Sequence, residues 1–110
     1  MDNTLQVEVH SLHAQMCQGL ADPKRILILY ALDEAPHRVT DLAEALDIPQ
    51  PTVSHHLKIL RNRGLVAVER EGTAAYYSLT DRRVIASLDL PREMMADQMA
   101  RRANLLGGSV

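Results

Sequence analysis

The chain contains no tryptophan and no phenylalanine, and its FWY aromatics are three tyrosines. Its core must therefore be aliphatic, built from Leu, Ile, Val, Ala and five Met, as in small helical domains. This argues against an aromatic platform for stacking single-stranded nucleic acid. A single cysteine, Cys17, permits no intrachain disulfide and points to a reducing compartment. No apolar run approaches the roughly 20 residues needed to cross a bilayer. The opening MDNTLQVEVH lacks the basic-then-apolar order of a secretory signal. The expectation is a cytoplasmic protein with no membrane partner. Gly19, Gly64, Gly72, Gly107 and Gly108 form no nucleotide fingerprint, and no Ser/His/Asp set or paired carboxylate stands out. An enzyme is not expected.

What is present is 110 residues, 46% hydrophobic and 24% charged, enough for one domain with one core. The net charge of −2 hides an asymmetry. Residues 1–49 carry a net −5 and residues 50–83 a net +3, from Lys58, Arg61, Arg63, Arg70, Arg82 and Arg83 against three acids. A mildly acidic chain with one basic segment suits an anionic partner met on one face. The competing reading is a solvated charge run.

Apolar residues at helical spacing (Leu5, Val9, Leu12, Met16, Leu20) predict a first helix over 4–20. Ala21-Asp22-Pro23 restarts the chain, with Asp22 as cap and Pro23 at the first helical position. Lys24–Leu32 predicts a buried helix, and Thr40 is expected to cap a third one over Asp41–Leu46. Ala43 stands where the Glu or Gln of a capping box would be. After the turn Asp47-Ile48-Pro49, Pro51 is expected to open a fourth helix that ends near Gly64. Leu65–Arg70 and Thr73–Leu79 read as a β-hairpin. From Asp81 the pattern is helical again, with a break expected at Pro91 and fraying from Leu105 to Val110.

Residues 40–63 thus form helix, short turn, helix, the spacing in which the second helix enters the DNA major groove. At 100° per residue Val53, Leu57 and Leu60 make a buried seam. Thr52, Ser54, His55, Lys58 and Asn62 lie outside it, and none of the outward residues is acidic. Hydroxyls, amides and imidazole read base edges, while Lys and Arg take phosphates. Gln50 sits at the helix N-terminus, whose free amides also favour phosphate. His56 falls on the inner side and is expected to pack or bond locally. The hairpin follows at once, with Arg70 beside a tip, Glu71-Gly72-Thr73, that can reach the minor groove or backbone. The fold class is mainly α with a β-hairpin wing, a winged helix-turn-helix. The expectation is one such domain over 1–110, with terminal dimerisation helices at about 4–20 and 81–106. Their apolar stripes exceed what a three-helix core with a hairpin can cover, which favours a homodimer.

Leu20-Ala21-Asp22-Pro23-Lys24-Arg25, Asp41-Leu42-Ala43, Thr52-Val53-Ser54-His55-His56-Leu57-Lys58-Ile59-Leu60 and Gly64-Leu65-Val66 with the hairpin resemble the ArsR/SmtB repressors over about residues 12–88. The resemblance implies a homodimer that binds a palindromic operator on double-stranded DNA and releases it when an inducer binds. It implies base contacts at Gln50, Ser54 and His55, and backbone contacts at Thr40, Lys58, Arg61 and Arg70. Thr52 and Thr73 are added from the helix and wing patterns. A winged-helix protein-interaction module without DNA binding is the alternative. The resemblance does not supply the inducer. The stretch Arg38-Val39-Thr40-Asp41-Leu42 has no thiol, and Asp81 is followed by Arg83 and by no later histidine. His10, His13 and Cys17, spaced i, i+3, i+7, offer two imidazoles and a thiolate that suit Zn(II), Cu(I) or haem iron. The favoured reading is that they hold no cofactor and lie on a solvated amphipathic helix; a lone reactive thiol is a third.

Overall fold

A computed structural model describes residues 2–107. Its order is α1 (Asn3–Leu12), a π-helical turn (His13–Cys17), α2 (Pro23–Glu34), α3 (Val39–Leu46), α4 (Gln50–Asn62), β1 (Val66–Glu71), β2 (Ala74–Leu79) and α5 (Arg83–Gly107). The strands pair antiparallel, with Val66 opposite Leu79 and Glu71 opposite Ala74. The two-residue turn between them, Gly72-Thr73, has a positive φ (61°) at Gly72 only. That is the type II′ form, whose twist matches the strands.

Local chemistry sets most of the boundaries. The Asp22 carboxylate accepts the Lys24 amide at 2.8 Å and Pro23 starts α2, as the sequence predicts. Helix α4 ends in a paired cap: the amide of Gly64 bonds the Arg61 carbonyl (3.0 Å) and that of Leu65 the Leu60 carbonyl (2.9 Å). This geometry needs a left-handed residue, and Gly64 provides it at φ 75°. The turn between α3 and α4 uses the same device with Asp47 at φ 54°, while Ile48 is buried beneath it.

Four sequence expectations are corrected. Thr40 does not cap α3; the helix starts at Val39 with Arg38 as cap. The Asp41 carboxylate accepts the Arg38 amide at 3.2 Å and pairs with the Arg38 guanidinium, so an Asp does what the missing Glu would have done. Helix α4 begins one residue early, at Gln50, with Pro51 in its second position. The first helix does not run unbroken from 4 to 20, because a π turn interrupts it at His13–Cys17. Pro91 does not break α5. Proline removes one amide and crowds the carbonyl a turn back, but tertiary bonds tie both flanks of Pro91 to α2. The Tyr30 hydroxyl donates to Asp89 at 2.6 Å, and Arg92 donates to the Tyr30 oxygen at 3.1 Å with its guanidinium 4.9 Å from the ring centre. Helix α5 includes Leu105–Gly107; the remainder of the expected frayed segment lies outside the described residues.

The core joins Ile28, Leu29 and Leu32 of α2, Leu42 of α3, Val53, Leu57 and Leu60 of α4, and Val84 and Ile85 of α5. Among the described residues one polar side chain enters it, His56. Its Nδ1 faces the Arg25 guanidinium at 3.3 Å and its Nε2 lies 3.9 Å from the Asp22 carboxylate. Since Arg25 can only donate, Nδ1 accepts and the proton sits on Nε2. Arg25 also donates to the Gly19 carbonyl (2.7 Å) and the Gln18 carbonyl (3.3 Å), so one guanidinium joins the end of the N-terminal segment to α4. Helix α1 buries none of its residues. The radius of gyration is 17.5 Å, against about 13 Å for a compact chain of this size.

Two outcomes follow from this packing. Gly64→Ala meets open space but must hold a left-handed backbone, so urea denaturation should show a loss of about 1–2 kcal/mol. Burial lowers the His56 pKa below 6.5; nearby Asp22 opposes the shift and Arg25 adds to it. The unfolded chain therefore takes the proton first, and stability fully present above pH 6.5 is lost as pH falls from there through the lower pKa of the folded state. Thermal melts from pH 7.5 to 5.5 should fall in Tm for the wild type, and this slope should be smaller in His56→Gln. Equal slopes would deny His56 the role.

Candidate nucleic-acid interface

Burial of one face of α4 determines what the other face offers. Val53, Leu57 and Leu60 are 0% exposed, and His56 joins them on the inner side. Gln50, Ser54, His55, Lys58, Arg61 and Asn62 are all exposed. Thr52 is half-buried on the flank of the helix, and Thr40 is exposed in the first turn of α3. Arg70 and Thr73 are exposed on the wing, Arg70 opposite Ala75 and Thr73 in the turn.

The ion pairs divide the cations into two populations. Arg38 pairs with Asp41, Arg82 with Asp33 (2.7 Å), Arg83 with Asp81 (2.7 Å) and Arg92 with Asp89. The Arg83 guanidinium holds the Asp81 carboxyl down at a pKa of about 2. Arg25 and Arg63 are directed at Gln18 and Gly19. Among the described residues no carboxylate pairs with Lys58, Arg61 or Arg70. Unneutralised positive charge thus lies on α4, which carries no acidic residue, and on the wing; Lys24 on α2 and Arg101 and Arg102 at the far end of α5 also stand outside these ion pairs.

A groove of about 450 Å³ runs beside α4, lined by Ser54, Leu57, Lys58, Arg61, Asn62 and Tyr77. Sequence reasoning missed Tyr77 as a site residue. It left Asn62 as an outward residue without a role. Helical periodicity places Asn62 near Lys58, but only the packing of the hairpin through β1 against α4 brings Tyr77 of β2 to the opposite wall.

His10, His13 and Cys17 are exposed, and the π turn separates them from the geometry expected of them. Each residue of a π turn advances by less than the 100° of an α-helix, so Cys17 rotates off the face that carries His10. Among the described residues no group of three His, Cys, Asp or Glu side chains is placed to hold a metal ion. No helix among them is long and apolar enough to cross a membrane.

The sequence profile described as "Bacterial regulatory protein, arsR family" matches residues 22–68, which span α2 to β1. The transcriptional regulator NmtR of Mycobacterium tuberculosis is 49% identical over 76 residues, 69% of this chain but only 63% of NmtR. The chain therefore spans less than two thirds of that relative. The arsenical resistance operon repressor of Bacillus subtilis is 39% identical over 76% of this chain and 80% of its own. Among solved structures, the homodimeric winged helix-turn-helix DNA-binding domain Mb0332 from Mycobacterium bovis superimposes with a TM-score of 0.71 at 27% identity, over 93% of both chains. The order of helices, the paired-cap turn between α3 and α4, and the two-stranded wing are those of a winged helix-turn-helix, and this chain belongs to the arsR family of bacterial regulatory proteins.

Proposed function

We propose that the protein is a sequence-specific DNA-binding transcriptional repressor that acts as a homodimer and releases its operator on an inducing signal. The observation that carries this reading is the charge left on α4 and the wing: Arg38, Arg82, Arg83 and Arg92 are paired with aspartates, whereas Lys58, Arg61 and Arg70 have no carboxylate partner among the described residues and lie on an α4 face without acids and on the wing beside it. Gln50, Ser54 and His55 present amide, hydroxyl and imidazole to base edges in the major groove. Lys58, Arg61, Arg70, Thr40, Thr52 and Thr73 meet the flanking backbone and fix the register. A winged-helix module used only for protein contacts would cover the outer face of α4 with apolar side chains; here that face is polar and cationic.

Dimerisation is supported by the apolar surface that one protomer leaves uncovered. Val9, Leu12 and Met16 are exposed along the N-terminal helix, and Met94, Met95 and Met99 are 60–68% exposed along α5. An apolar groove of about 830 Å³ opens between these two ends, lined by Leu12, Met16 and Leu20 on one side and Val84, Leu88 and Pro91 on the other. A two-fold partner buries both stripes and sets two α4 helices about 34 Å apart, one turn of DNA, over a palindromic operator.

Binding to the DNA upstream of the protein's own gene, followed by fluorescence anisotropy across a salt series, tests the reading. The wild type should bind, with affinity falling steeply as salt rises. His55→Ala should relax base preference by about 1–3 kcal/mol at one position, whereas Arg70→Ala should weaken all duplexes alike and lower the salt slope by about 1. Equal changes in specificity would reverse the assigned roles. Sedimentation should return twice the 12.3 kDa chain mass, and Met95→Asp with Met99→Asp should shift it to one chain mass and weaken operator binding.

A further inference from the structure

The groove between α4 and the base of the wing has a built character that the base-reading face lacks. Its wall on the helix side is Ser54, Lys58, Arg61 and Asn62, spaced i, i+4, i+7 and i+8 on one stripe. Its floor is Leu57, fully buried and therefore fixed. Its far wall is Tyr77. Tyr77 is held on both sides: it lies opposite Val68 in the hairpin, and its amide and carbonyl both bond His37, at 2.8 and 3.0 Å. The ring packs on the core. The hydroxyl of Tyr30 is engaged by Asp89, but among the described residues the Tyr77 hydroxyl bonds no side chain. Ser54, at the rim, is left to the bases; the groove itself combines two cations, an amide and a phenol, with no carboxylate in its lining. This donor set fits a phosphate oxyanion, which takes charge from Lys and Arg and hydrogen bonds from neutral donors.

We infer that this groove seats one backbone phosphate of the DNA strand that runs between the recognition helix and the wing, and that Tyr77 and Asn62 are its positioning donors. The inference rests on the DNA-binding reading above and adds a defined register point to it. Lys58 and Arg61 supply the charge that draws the strand in and contribute to its register. Tyr77 and Asn62 are neutral, and Tyr77 stands on clamped backbone, so they set where the phosphate stops. A phosphate caught between α4 and β2 fixes the depth to which Ser54 and His55 enter the groove.

The test uses the full chain, its upstream duplex and an unrelated duplex of equal length. Tyr77→Phe keeps the ring and its packing, and Asn62→Ala changes an exposed side chain. Each should weaken both duplexes by roughly tenfold, the loss of one hydrogen bond to a charged group, and leave the salt slope unchanged. Lys58→Ala and Arg61→Ala should each lower the slope by about 1. Single methylphosphonate substitutions scanned along the upstream duplex should reveal one position that weakens the wild type but has no further effect on Tyr77→Phe with Asn62→Ala. Wild-type affinity in both single variants, or no such position in the scan, overturns the inference while the wild type still binds DNA. A wild type that binds neither duplex overturns the parent reading instead. Free anion is the other source of the same chemistry. Inorganic phosphate at matched ionic strength should not saturate the wild type; saturation abolished by Tyr77→Phe, with DNA affinity unchanged, reassigns the groove to a free anion.

Discussion

The rest of the structure depends on the seam that α4 buries. Val53, Leu57 and Leu60 lie at zero exposure against a core shared with α2, α3 and α5. Full burial of three aliphatic side chains contributes on the order of 5–9 kcal/mol before entropy is counted. That fixes the rotation of α4 about its axis, since a turn of one residue would bring a leucine out and a lysine in. The outward stripe is consequently determined as firmly as the inward one. A recognition surface that must match base edges needs this rigidity, because a helix free to roll would present no constant set of donors.

The electrostatics follow the same division. Aspartates pair Arg38, Arg82, Arg83 and Arg92, and the guanidinium lowers the carboxyl pKa at Asp41 beside Arg38 and at Asp81 beside Arg83. These exposed pairs add little stability. Their effect is on the field: they cancel charge beside α3 and along the first half of α5, while Lys58, Arg61 and Arg70 keep theirs. A chain with a net charge of −2 can in this way attract a polyanion to one face. Arg25 and His56 add a mechanical link, since a single guanidinium bonds both the end of the N-terminal segment and the inner side of α4. The exposed N-terminal segment and α4 are thereby joined through one part-buried guanidinium.

Elements with a local cause were legible in the sequence. The Asp22-Pro23 start, the Gly64 stop and the hairpin turn at Gly72 each depend on one residue's backbone preference, and each is found within a residue or so of its expected place. The seam of α4 was legible because it is periodic. Expectations failed where a tertiary partner outweighed a local rule. Thr40 is a better cap than Arg38 by type, but Asp41 reaches back to the Arg38 amide and guanidinium. Pro91 should interrupt a helix, but Tyr30 binds Asp89 and Arg92 on either side of it. The π turn at His13–Cys17 has no periodic signature, and it displaces Cys17 from the face on which the spacing alone would set it.

The sequence by itself thus determined which residues of α4 turn inward and outward, where the turns fall and how charge is apportioned along the chain, because these depend on side-chain type at short range. Only the tertiary structure decided that Tyr77 faces Lys58 and Arg61 across a groove, that α5 continues through its proline, and that His56 is buried against Arg25. Each of these joins residues far apart in the chain, and the distance between them is set by the packing of the whole core, which no local pattern encodes.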